Sequence, residues 1–177
     1  RARDGRKGRR RAGQGAQAAR RLAGRGERGA RGEDAEPDDC AEMGRLAAEG
    51  IDAGFLGFTT SRTHNHKTSL GEPTPTLTAA RDELVGIAEA IGTTGRGVLQ
   101  LVSDFTDIDG EFALVRAMTE SSGLPVSFTL VESPRGYDYH RRILEHIENA
   151  RDDGLRVTGQ AAVPPICPLY PSPRPRD

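Results

Sequence analysis

A chain of 177 residues can build one ordinary domain with a real core, but its formal net charge of -1 conceals two opposite parts. Residues 1–32 carry eleven Arg and Lys7 against Asp4 and Glu27, a balance of +10, whereas the remainder carries thirteen bases and twenty-four acids, a balance of -11. Cys40 and Cys167 form neither a CxxC motif nor a disulfide framework. No apolar run approaches the roughly 18–20 residues of a membrane span, and the basic start lacks the apolar core of a signal peptide, so the expected setting is the reduced cytoplasm, with no membrane partner.

Residues 1–36 are almost entirely Arg, Gly, Ala, Gln and acids, with Leu22 the only large apolar side chain. Such a segment cannot bury enough surface to offset the entropy of ordering and is predicted to be disordered. Three readings of it stand open. Clustered Arg suits a nucleic-acid-binding arm, although the aromatic residues that stack on bases are missing. A plain solvated tail has the same composition. So does GC-rich DNA translated out of frame, which also fits a chain that begins without Met.

Residues 37–161 read as the folded unit. Pro37-Asp38-Asp39 starts a helix, with Pro early and acids at the positive end of the dipole. Met43, Leu46, Ala47 and Ile51 follow helical spacing, and Gly54 stops the helix. Phe55–Thr60 is predicted as a short buried strand, followed by a long polar loop from Ser61 to Leu77, of a length that often carries function. Thr76 or Thr78 can cap the next helix, whose inner face is Leu84, Val85, Ile87, Ala88 and Ile91 and whose end is Gly92. Gly97–Ser103 is the second strand. A helix with Phe112, Val115 and Met118 inward ends at Gly123, and Pro125–Val131 is the third strand. Tyr139, Ile143, Leu144, Ile147 and Ala150 mark a fourth helix ending near Gly154, and Leu155–Gln160 is the fourth strand. Residues 162–177 break the pattern: Pro at 164, 165, 168, 171, 173 and 175 tolerates neither helix nor central strand. That tail suits an extended Pro-rich ligand, a second frame change or a truncation equally.

Helix and strand thus alternate four times, which demands parallel pairing through right-handed crossovers. The result is an α/β protein, either a small doubly wound sheet or about four units of an eight-stranded (β/α) TIM-type barrel. Neither GxGxxG nor GxxxxGK[ST] lies between a strand and a helix, which counts against a nucleotide-binding sheet.

Four stretches carry a family likeness: AEMGRLAAEGIDAGFLGFTTSRT, NHKTSLGEPTPTLTAARDEL, GRGVLQLVSDF and SGLPVSFTL. In this order and spacing, residues 37–161 resemble the N-acyl-D-amino-acid deacylase (D-aminoacylase) branch of the amidohydrolase superfamily, with its A-G-A-L-G-F-S-T-S-R-T element and the two barrel strands after it. The resemblance implies a metal-dependent barrel hydrolase that cleaves amide C–N bonds of an N-acylated amino acid or related amide. Zinc or another divalent metal would activate the attacking water in the complete enzyme. The family's H-x-H on the first barrel strand would lie upstream of these residues and its catalytic Asp downstream. The strand ends at Gln100–Asp104 and Ser127–Leu130 hold no His. The resemblance therefore implies a fragment of such a hydrolase, without a bound metal of its own. The alternative from a different class is a non-catalytic α/β module whose Arg-rich arm contacts nucleic acid.

The candidate residues gather at the predicted carboxyl ends of the strands. His64 and His66 form an H-x-H, but in a loop, and a zinc site would need further ligands. His66 fits the family's S-R-T-x-x-H element as a loop residue near substrate, and it fits a solvated loop His equally. Arg62 can pair with a substrate carboxylate through two parallel hydrogen bonds, or form a surface salt bridge, for instance to Glu72. Asp104, with Ser103, can contact substrate or cap the following helix, and the capping role is favoured. Glu132 stands in a similar position after the third strand. His140 and His146 sit among the charges of an outer helix face and are assigned no chemistry. Cys40, at a helix start where the dipole would lower a thiol pKa, is expected to be buried or incidental because no His is placed to activate it.

Overall fold

The computed structural model describes residues 35–131 and 137–161. Residues 1–34, which hold nearly all of the basic segment, lie outside the described residues, as do Glu132 and the Pro-rich residues 162–177. Helix α1 spans Pro37–Asp52, with Pro37 in its first turn and the Asp39 carboxylate accepting from the Glu36 backbone N–H at 3.4 Å. It ends at Gly54, whose φ of +111° suits only glycine without strain. The chain then folds back: the Phe55 N–H donates to the Gly50 carbonyl at 2.9 Å, and the Phe55 ring covers Gly50. Phe55 therefore closes the helix instead of opening the strand.

Strand β1 accordingly runs Gly57–Arg62, two residues later than the apolar run predicts, and Leu56 is left 90% exposed. Gly57 begins it because β2 passes so close that any Cβ there would stand 2.0 Å from the Val98 carbonyl oxygen. A 3-10 turn at Pro75–Thr78 leads to α2, Arg81–Gly92, whose N-cap is Ala80 and not Thr76 or Thr78. The remaining elements are β2 (Val98–Ser103), α3 (Ile108–Ser122), β3 (Val126–Leu130), α4 (Tyr137–Asp152) and β4 (Val157–Ala161). Helix α3 is capped by Asp107, which accepts from the Gly110 N–H at 3.1 Å, so the capping role expected of Asp104 falls three residues later.

The four strands are parallel and lie in the order β1-β2-β3-β4. A helix connects each neighbouring pair, and right-handed crossovers place such helices on one face of the sheet. They pack as one layer, α1 on α2, α2 on α3 and α3 on α4. Among the described residues the strand order does not reverse, so these four strands show no doubly wound arrangement.

Side chains alternate accordingly. Leu99, Leu101, Val126, Phe128 and Val157 are buried beneath the helices, and Phe128 packs with Phe105 and Phe112 at ring-centroid distances of 4.9 and 5.5 Å. The opposite face is polar. Register aligns Thr59, Gln100, Ser127 and Thr158 in one row across all four strands. Thr59 hydrogen-bonds Gln100, and Gln160 Nε2 donates to Ser127 Oγ at 3.2 Å. On α4, Ile143 and Ala150 face the core as the spacing predicts, but Leu144 is 48% exposed because it falls one residue off that stripe.

Polar contacts also link α4 to α3. Asp109 accepts from Arg142 Nη2 and meets His146 Nε2, both at 2.9 Å, while the His146 ring stacks on Phe112 at 4.6 Å. The His146 and Arg142 hydrogen bonds keep the Asp109 carboxyl below its usual range.

Thr60 is a buried polar residue on the helix-facing side. It is 7% exposed, and its hydroxyl has no hydrogen-bond partner among the described residues. Removing an unsatisfied buried hydroxyl while keeping the shape relieves its desolvation cost. Thr60→Val is therefore expected to raise stability by about 1 kcal/mol, measured by urea unfolding.

Candidate functional site

The carboxyl ends of parallel strands share one rim, and side chains from separate segments converge there. Register pairs Ser61 with Val102 and Arg62 with Ser103 at this end. Alternation sends Arg62 and Ser103 toward the helices, where both meet Glu111 from the first turn of α3. Arg62 Nε donates to both Glu111 carboxylate oxygens at 3.0 and 3.1 Å, Nη2 lies 3.0 Å from Oε1, and Nη1 donates to the Ala79 carbonyl at 2.7 Å. Ser103 Oγ donates to Glu111 Oε2 at 2.9 Å and accepts from the Phe105 N–H at 3.0 Å. The guanidinium is thus occupied by the fold itself, and its acidic partner is Glu111 instead of Glu72.

Phe105 is the single non-glycine residue with positive φ among the described residues, at 45°. That backbone costs roughly 1–2 kcal/mol for an L-residue. Here it is held by the Ser103 hydroxyl and by a ring only 2% exposed between Phe112 and Phe128. The turn lies at the carboxyl end of a central strand, where strained backbone is often tied to function.

Asp104 follows directly and joins two loops. Its carboxylate accepts from Thr63 Oγ1 at 2.5 Å and from the His64 N–H at 2.9 Å, while its carbonyl accepts from the Tyr139 hydroxyl at 2.9 Å. His64 therefore enters the network through its backbone. His66 enters through its ring, with Nδ1 2.6 Å from Ser61 Oγ. When Ser61 donates to Nδ1, the ring proton sits on Nε2. The rim brings the sequence candidates Arg62, His64, His66 and Asp104 to one end of the sheet, together with Ser61, Thr63, Glu111 and Tyr139. No motif could name Glu111: a carboxylate one turn into a helix is ordinary until the strand register shows what faces it.

Beside this network, a cleft of about 510 Å³ opens between the β2–α3 loop and the start of α4. Asp107, Asp109, Asp138, Tyr139 and Arg142 line it, with Phe105 and Ile108 beneath. Tyr139 belongs to both the cleft and the Asp104 network. His140 Nε2 lies 3.0 Å from the Val131 carbonyl, and His146 is engaged with Asp109, so both helix histidines have structural partners.

Catalytic zinc draws on converging His, Cys or carboxylate donors. Among the described residues no three such groups are placed to hold a metal. Among the described residues no third ligand stands with His64 and His66, and Asp104 already ties Thr63 to the His64 backbone. The described side chains at this rim do not by themselves make up a catalytic metal site.

At Cys40 the surroundings reverse the expected dipole effect. Burial first, then the negative charges of Glu83, Asp39 and Asp82, push the thiol pKa up. A comparison of the chain with protein-family models, curated proteins and solved structures finds no match. No helix among the described residues is long and apolar enough to cross a membrane.

Two measurements check this geometry. The Arg62 and Glu111 side chains are 20% and 15% exposed. Glu111→Ala is expected to cost about 2 kcal/mol, between the values for surface and fully buried pairs. The double variant R62M/E111L should recover most of that loss in urea unfolding, because neither charge is then left unpaired. In a Cys167→Ser background, Cys40 should react with iodoacetamide at neutral pH more slowly than a free peptide thiol, and at the free rate once urea unfolds the chain.

Proposed function

We propose that residues 37–161 form four consecutive units of a (β/α)8 amidohydrolase-type barrel resembling the N-acyl-D-amino-acid deacylases. In this reading they supply a substrate-facing wall, and the metal centre belongs to the rest of the complete enzyme. The observation that carries it is the meeting of the FTTSRT strand and the VSDF strand end at one rim, joined by Asp104 across Thr63 and His64. The sequential parallel order with helices in one layer supports the barrel half of the reading.

Roles follow from what each side chain already does. Arg62 is committed to Glu111 and Ala79, so it positions the rim and the 63–80 loop instead of clamping a substrate carboxylate. His66, exposed and hydrogen-bonded to Ser61, is the residue that meets substrate; when Ser61 donates to Nδ1, its Nε2–H can donate to an acyl or carboxylate oxygen. Asp104 holds the His64–His66 loop at the strand end. The substrate class is a small N-acylated amino acid or related amide. Metal-activated water would supply the hydrolytic step in the complete enzyme.

Titrating N-acetylated amino acids of both hands into the isotopically labelled chain tests this. The expected result is a saturable shift of the His66 imidazole and of backbone resonances from Thr63 to His66, abolished by His66→Ala, with no hydrolysis in the presence of zinc. No shift at millimolar ligand would overturn the substrate wall. Turnover that disappears on chelation would overturn its separation from the metal centre.

A further inference from the structure

The face of the sheet turned away from the helices carries no charged strand residue. Its level nearest the rim is set by register. Ser61 pairs with Val102 and Thr129 pairs with Gln160, and the pairing of Leu101 with Phe128 brings the two pairs to one height. Leu101 and Phe128 are buried beneath the helices, so Val102 and Thr129 point to the other side. At one end of this row Ser61 holds the His66 ring. At the other end stand Thr129 and Gln160, on neighbouring strands.

The hydrogen bonds these two side chains already make decide what they can still offer. Gln160 Nε2 donates to Ser127 Oγ at 3.2 Å, which leaves Oε1 as an acceptor with no donor among the described residues. The partly exposed Thr129 hydroxyl makes no hydrogen bond among the described residues and can donate. A donor and an acceptor thus stand side by side, on strands about 4.8 Å apart.

We infer that Thr129 and Gln160 form a subsite for a primary carboxamide, which makes the ligand of this rim an N-acylated amino acid with an amide side chain of glutamine length. The inference rests on the substrate-wall reading above and names its substrate.

Hydrogen-bonding chemistry selects among side chains. A carboxamide carries an acceptor oxygen and an NH2 donor on one planar group, so its oxygen accepts from Thr129 while its NH2 donates to Gln160 Oε1. A carboxylate offers acceptors only and would meet Gln160 Oε1, with no cation on the sheet face to offset its desolvation. An ammonium offers donors only, leaves the Thr129 hydroxyl without an acceptor, and finds no carboxylate on that face. An alkyl side chain displaces water from both groups and pairs with neither, which is the costly case. Length agrees with the choice. Ser61 lies two strands from Thr129 and three from Gln160, about 10 and 14 Å at the usual spacing. Hydrogen bonds of about 3 Å at either end leave about 4–8 Å for the ligand, a span that one acylated amino acid bridges.

Titration of the full, isotopically labelled chain with the Nα-acetyl derivatives of glutamine, glutamate, lysine and leucine tests this. Shifts are read at Thr129, at the Gln160 side-chain amide and at His66. The expected dissociation constant for the glutamine derivative is about tenfold below those of the other three. Thr129→Val and Gln160→Leu should each cut that preference about threefold, while Thr129→Ser, which keeps the hydroxyl, should retain it. Should a variant fail to fold, the ranking of the four ligands on the parent chain still decides. Equal affinities, a preference for glutamate, lysine or leucine, or shifts at His66 that never reach Thr129 and Gln160 overturn the carboxamide subsite and leave the substrate wall standing. A His66 silent to all four ligands overturns the wall, and the subsite with it.

Discussion

The constraint on which the molecule turns is the handedness of the connection between neighbouring parallel strands. A right-handed crossover leaves the helix on one side of the sheet, and repeating it between strands that stay adjacent leaves every helix on that side. Three consequences follow together. The alternate residues beneath the helices must be apolar, which Leu99, Leu101, Val126 and Phe128 satisfy. The other alternates form a continuous second face with its own chemistry. All strand-to-helix loops emerge at one rim, so residues distant in sequence such as Thr63, Asp104 and Tyr139 become neighbours there.

At that rim, packing and function compete for the same side chains. Arg62 has the composition of a carboxylate receptor, yet Glu111 and the Ala79 carbonyl take its donors. What the rim gains is a fixed loop: Arg62 anchors residue 79, while Asp104 anchors residues 63 and 64. His66 is then held by Ser61 at the edge of an ordered frame. The strained Phe105 backbone belongs to the same frame, since Ser103 serves both Glu111 and the Phe105 N–H.

The sequence was most legible where one physical effect dominates. Helical spacing at Leu84, Ile87, Ala88 and Ile91, and the apolar run at Val98–Val102, give the right elements because burial alone decides them. Misreadings arise where two effects draw on one residue. Phe55 and Leu56 look like strand, but Phe55 is needed over Gly50 at the helix end, so β1 shifts to Gly57–Arg62. Asp104 and Asp107 are both acids before a helix, and only the tight turn at Phe105 decides which one caps. At Cys40 the dipole argument is sound in itself but is outweighed by burial and by the carboxylates of α2 brought alongside it. The Arg62–Glu111 pair spans forty-nine positions, a separation at which local pattern carries no information.

The strictly sequential strand order also bears on how such a chain can be assembled and altered. Among the described residues each strand pairs only with its neighbours in sequence, so no pairing there spans more than one helix-and-strand unit. The architecture behaves as a string of modules, in which stability accrues through nearest-neighbour contacts, as in repeat proteins. The Phe105–Phe112–Phe128 cluster at the centre draws on its neighbouring unit as well, since the His146 ring of α4 stacks on Phe112. Each module is thus supported by the next, and the chemistry at the rim depends on how many modules stand beside one another.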